Sequence, residues 1–151
     1  MTAVIYMHRK FYRTVVFHIL AANLPIRTMK TYFLKLYQYN SWATKRVLGG
    51  LQKQEVTDEK ILSIMGHVIA AQFLWLHRIK GLPPAPVKLW GEYSLPQLTE
   101  MADEAGGHWL EFVESTDDFN RDLDYINYVG DPYITNVEMI MIHLVDRKSV
   151  V

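Results

Sequence analysis

His67 is the residue of this chain best placed to do chemistry. A metal-binding imidazole on a helix needs room for the ion beside it, and Gly66, Ala70 and Ala71 would leave that room. The same ring could instead be a core histidine bonded to a backbone carbonyl or to Asn40. On composition alone the second role is the commoner one. The chain has no cysteine, so it holds no thiolate metal site and no thiol nucleophile. Any metal must sit on His, Asp or Glu, and any nucleophile must be an oxygen, a nitrogen or a bound water. The six histidines include no pair three or four residues apart, which excludes a two-His chelate on one helix. Glu104, His108 and Glu111 fall on one helical face as a carboxylate–imidazole–carboxylate stripe that could bind a divalent ion, although a solvated face is the usual fate of such a stripe. His77, beside Arg78 and Lys80, suits a helix C-terminus, where a cation complements the dipole. The acidic run Asp117–Asp124 lacks the glycine and the Glu of an EF-hand loop and reads as a solvated loop. There is no Gly-rich phosphate loop and no Gly-x-Ser-x-Gly elbow.

These residues need helices to hold them. Phe33, Leu36, Tyr37, Ala43, Val47, Leu48 and Leu51 recur at helical spacing over 31–51, and Gly49-Gly50 should loosen that helix's end. Asn40 lies on its apolar side, where it could orient a ligand or the His67 ring, or bond one helix to another. Tyr37, Tyr39 and Trp75 read as core. Thr57 is the expected N-cap of a second, strongly apolar helix that runs to about Lys80 and stops at Gly81 and Pro83-Pro84. A Pro-rich connection over 81–93 leads to the capping box Ser94-Leu95-Pro96-Gln97 and a third helix. Leu98, Ala102, Ala105, Trp109 and Phe112 form its seam, and Gly106-Gly107 points to a close helix approach or a local irregularity. Residues 119–135 read as a short hairpin or an extended loop turning at Gly130-Asp131-Pro132. A second capping box, Thr135-Asn136-Val137-Glu138, opens a short last helix. Four helices with one long crossover predict an all-α antiparallel four-helix bundle.

Composition narrows the function further. The chain has 151 residues, half of them hydrophobic, which suits one domain with a real core and excludes a disordered polymer. Its 16 basic and 16 acidic residues cancel, which argues against a nucleic-acid partner. The charge is uneven, however. Residues 1–28 carry Arg9, Lys10, Arg13 and Arg27 with no acid, and the remainder is correspondingly acidic. We therefore read 1–28 as a basic upstream extension outside the fold, with Met29 as the natural start of a 29–151 domain. No apolar stretch approaches the roughly 20 residues needed to cross a bilayer, so no membrane partner is expected.

Three segments, in order, resemble the DinB-like family of helical proteins: Tyr39-Asn40-Ser41-Trp42-Ala43 with Arg46 and Leu48; Gly66-His67-Val68-Ile69-Ala70-Ala71 with Trp75-Leu76; and Gly130-Asp131-Pro132 leading to Met141-Ile142-His143-Leu144-Val145-Asp146. The resemblance implies an up-down-down-up bundle and a divalent metal (Zn, Ni or Mn) held by three histidines. His67 matches the first. The other two belong to a His-x-x-x-His on the last helix, where Arg147 and Val151 stand here and cannot ligate. His143 matches the histidine four positions before that pair, about 6 Å away along the helix axis. The chain thus looks like a truncated or degenerate member with His67 and His143 as its metal-ligand candidates. The implied activity is metal-dependent thiol S-transfer or hydrolysis on a small-molecule or thiol substrate in the cytoplasm, with a His triad that is incomplete here. The alternative is a non-catalytic helical protein acting only as a homodimer, through an apolar seam left exposed by the short last helix.

Overall fold

A computed structural model describes residues 26–127 and 129–146. Among them four helices and two strands follow in the order α1 (Ile26–Lys53), α2 (Glu59–Lys80), α3 (Leu95–Ser115), β1 (Asp122–Ile126), β2 (Pro132–Asn136) and α4 (Val137–Asp146). The expectation of an all-α four-helix bundle is therefore corrected: the chain adds a two-stranded antiparallel sheet to its helices. Leu123 turns inward between exposed Asp122 and Asp124, an alternation that suits a strand and not a helix. The strands pair with Leu123 opposite Thr135 and Tyr125 opposite Tyr133. Asn127 organises the turn, its Oδ1 accepting the amides of Val129 at 3.0 Å and Asp131 at 2.9 Å. Gly130 supplies the positive φ of 95° that the turn requires.

α1 is longer at both ends than its apolar spacing predicted, and it runs straight through Gly49 and Gly50. Nothing lies within 4 Å of a Cβ at either glycine, so neither is demanded by packing. The helix ends instead where Glu55 takes φ 49°, with the Val56 amide donating to the Leu51 carbonyl at 3.0 Å. The start of this helix lies three residues inside the stretch read as an extension, and Met29 is buried in the core. The rest of that stretch, 1–25, lies outside the described residues.

α2 starts one residue later than expected. Asp58 and not Thr57 is its N-cap, with Oδ1 accepting from the Ile61 amide at 3.0 Å. It stops at Gly81, whose φ of 63° lets the Gly81 and Leu82 amides reach back to the Arg78 and His77 carbonyls. Its last turn carries His77, whose Nδ1 donates to the Pro83 carbonyl at 2.7 Å. Gln97 Oε1 accepts the Ser94 amide at 2.8 Å at the start of α3. At α4 the capping oxygen comes from Asn136, which accepts the Glu138 amide at 3.0 Å, and the Val137 amide is taken by the Arg121 carbonyl. Thr135, the expected cap, stays in the strand.

Long-range pairs fix the directions. Lys30 bridges to Asp117 and Lys45 to Asp103, so α1 and α3 run antiparallel. Between those bridges a Cβ on Gly106 would stand 2.7 Å from Ser41 Oγ, which is the close approach the glycine pair foreshadowed. One core cluster joins Leu48, Ile69 and Phe73 to Leu98, Ala102 and Ala105. The other gathers Phe33, Tyr37, Leu76, Trp109, Val137 and Met141 among others. The order of α2 and α3 residues along these clusters makes the two helices parallel, which the 81–94 crossover permits. No helix among the described residues is long and apolar enough to cross a membrane.

Buried polar groups tie the clusters together. Trp109 stacks on Tyr37 with centroids 4.8 Å apart, and its Nε1 donates to the Gln72 carbonyl at 3.2 Å. Asn40 Nδ2 donates to Gln72 Oε1, and the Tyr37 hydroxyl donates to the Met141 carbonyl. Each such bond satisfies a group that would be costly to leave alone in a dry interior.

Candidate functional site

α2 presents one stripe, His67, Ala71, Leu74, Trp75 and Arg78, at helical spacing toward a cavity of about 260 Å³. α4 contributes His143 and Leu144, the hairpin Tyr125 and Asn127, and the crossover Leu89. His67 and His143, the two ligand candidates, thus line the same cavity from different helices. His67 is half-buried and His143 exposed. The His67 ring lies flat against the Trp90 indole, centroids 3.8 Å apart and planes 19° from parallel. Its Nδ1 is buried and has no hydrogen-bond partner among the described residues.

The small neighbours of His67 divide their roles. Gly66 does not make room for an ion: a Cβ there would meet Tyr93 Cδ2 at 2.9 Å, so the ring from the crossover fills the space. Tyr93 is fixed in turn, its hydroxyl accepting from the Lys88 amide and donating to the Lys88 carbonyl, both at 2.9 Å. Ala70 is fully buried in the core. Only Ala71 opens onto the cavity.

At the other end of the stripe Arg78 lies over two rings, its guanidinium carbon 5.0 Å from the Trp75 centroid and 4.9 Å from that of Tyr125. Trp75 and Tyr125 themselves meet edge to face at 5.1 Å. This cation–π pair holds the hairpin against α2. The lining includes no acidic residue.

Other candidates fall elsewhere. Asn40 bonds Gln72, which ties α1 to α2. Glu104, His108 and Glu111 are all exposed, with His108 edge-on to Phe73. Among the described residues no three His, Asp or Glu side chains come close enough together to hold a metal ion. Arg147 and Val151, where the resemblance puts the missing ligands, lie outside the described residues. Tyr39 is not core but 62% exposed, in contact with Trp42, which is 56% exposed. Arg78, Tyr125, Leu89 and Trp90 were not singled out as site residues from the sequence. Arg78 had a signal, since it stands on the His67 face of α2 three turns on, while the other three depend on contacts made by the hairpin and the crossover.

The donor chemistry fits a borderline ion in part. Two imidazoles supply two positions for Zn or Ni, and solvent or a bound molecule would have to fill the rest. An unpartnered buried ring nitrogen is the feature that a metal would relieve. Compared with known protein families, curated proteins and solved structures, the chain matches none.

Proposed function

We propose that this chain is a DinB-like protein that binds a divalent ion through His67 and His143 at the cavity between α2, α4 and the hairpin. One observation carries the reading: two imidazoles from separate helices line one cavity, and the buried His67 Nδ1 has no partner among the described residues. A bound ion would lower the pKa of a coordinated water or thiol and so support hydrolysis or S-transfer. Trp90 covers one face of the His67 ring and holds its orientation. Ala71 and Leu144 keep the cavity wall apolar beside the imidazoles, which favours entry of a small molecule over bulk water.

Equilibrium dialysis against Zn, Ni and Mn tests this. The wild-type chain should retain Zn or Ni, and both His67→Ala and His143→Ala should lose most of it. Equal metal content in all three proteins removes the proposal.

The exposed aromatic stripe of α1 favours a second reading. Tyr39 and Trp42 stand exposed and in contact about one turn apart, with Val47 exposed further along the helix, and an exposed aromatic pair of that kind supports a homodimer that acts without catalysis.

A further inference from the structure

We infer that Arg78 makes this cavity a carboxylate site, which takes a small molecule with one carboxylate and an apolar body. The inference rests on the reading above that the cavity holds a ligand, and it names that ligand's class.

The guanidinium is held between two aromatic rings, its carbon 5.0 Å from the Trp75 centroid and 4.9 Å from that of Tyr125, which fixes the charge beside the cavity. Among the described residues its one hydrogen-bond acceptor is the Ile126 carbonyl, at a long 3.4 Å. No described Asp or Glu makes an ion pair with it. An arginine fixed beside a cavity with most of its donors unspent is a preformed half of a charge-assisted pair. A carboxylate supplies the other half, because its two oxygens match the guanidinium fork in one plane.

The rest of the cavity agrees on sign and size. No lining residue carries a negative charge, and the other lining groups able to carry a positive one are His67 and His143. Val68 and Leu74 supply hydrocarbon wall to receive an apolar body. About 260 Å³ lies just under the range of drug-sized pockets, so the ligand is small. A phosphate would also fit the fork, but it is hydrated on every side and has no apolar body to set against that wall.

Isothermal titration of the full chain with benzoate, benzamide and inorganic phosphate, first in EDTA and then with Zn, tests the assignment. Benzoate should bind in EDTA. Benzamide, its neutral isostere, should bind about tenfold more weakly or worse, and phosphate should not compete. Arg78→Gln should lose about tenfold in benzoate affinity, and Arg78→Lys should lose less because it keeps the charge without the fork. Circular dichroism checks that both variants fold. If Arg78→Gln does not, the benzoate–benzamide contrast on the wild-type chain decides alone. Failure of benzoate to bind, equal binding of benzoate and benzamide, phosphate binding as tight as benzoate, or full affinity in folded Arg78→Gln would each overturn the inference. Benzoate binding with no metal retained would leave it standing while removing the metal reading. Metal retained through His67 and His143, with no preference for benzoate, would do the reverse.

Discussion

The Tyr37 hydroxyl donates to the Met141 carbonyl at 3.1 Å, and the phenol is enclosed almost completely, so its ionised form has no water to stabilise it. Burial therefore raises its pKa well above the ordinary 10.0. Below about pH 10 the folded and unfolded chains carry the same proton there, and stability does not depend on it. Above that, the unfolded chain releases a proton that the folded chain keeps, so stability falls as pH rises, by up to about 1.4 kcal/mol per pH unit. Tyr32 shifts the same way, through partial burial first and the charge of Glu138 second. Urea unfolding at pH 8 and pH 10.5 should show this alkaline loss in the wild-type chain. Tyr37→Phe should cost about 0.5–1.5 kcal/mol at pH 8 through the lost hydrogen bond, and it should flatten the alkaline slope. An unchanged slope would contradict the assignment.

Elements carry a contrasting pair of glycines. Gly66→Ala would drive a Cβ to 2.9 Å from Tyr93, a ring that cannot yield because Lys88 holds its hydroxyl twice. That variant should lose about 1–3 kcal/mol and loosen the crossover that brings Trp90 onto His67. Gly50→Ala meets nothing within 4 Å on a helix and should gain about 0.5–1 kcal/mol. Thermal melts of the two variants should move in opposite directions. The same glycines mark what could be read in advance. A local signal sufficed where local chemistry decides, as at Gly81, where a left-handed residue ends α2, and at Ser94-Leu95-Pro96-Gln97. It misled at Gly49-Gly50, because glycine lowers helix propensity without forbidding a helix whose Leu48 is buried in the core. It also misled at Gly66, since no spacing rule could place Tyr93, 27 residues away, over that position. His67 and His143 were legible as histidines, but their common cavity depends on α4 packing beside α2. Tyr39 was misassigned because Asn40, its neighbour, takes the buried side of α1.

At the scale of the whole molecule, the outer face of α1 is aromatic and cationic. Lys35, Arg46 and Lys53 stand exposed along the Tyr39 side and Arg46 sits over the Trp42 ring, while Lys30 and Lys45 pair with Asp117 and Asp103. Two copies meeting through Tyr39 and Trp42 would bury apolar area while bringing like charges together. Association through this face should therefore tighten with added salt, the opposite of an ion-paired interface. Sedimentation velocity at low and high ionic strength, with Trp42→Glu as the control, should show a dimer that grows with salt and disappears in the variant. A monomer under both conditions would count against the homodimer reading.

The cavity beside His67 has walls from residues 67–78, 89, 125–127 and 143–144, stretches that neighbour one another only after the chain has folded. A molecule that settles there finds no equivalent perch on the loose chain, so its affinity becomes part of the protein's endurance. At a hundredfold excess over its Kd such a guest would add about 2.7 kcal/mol against unfolding. Melting temperature would then serve as a search tool, with each true occupant announcing itself by the heat the protein survives.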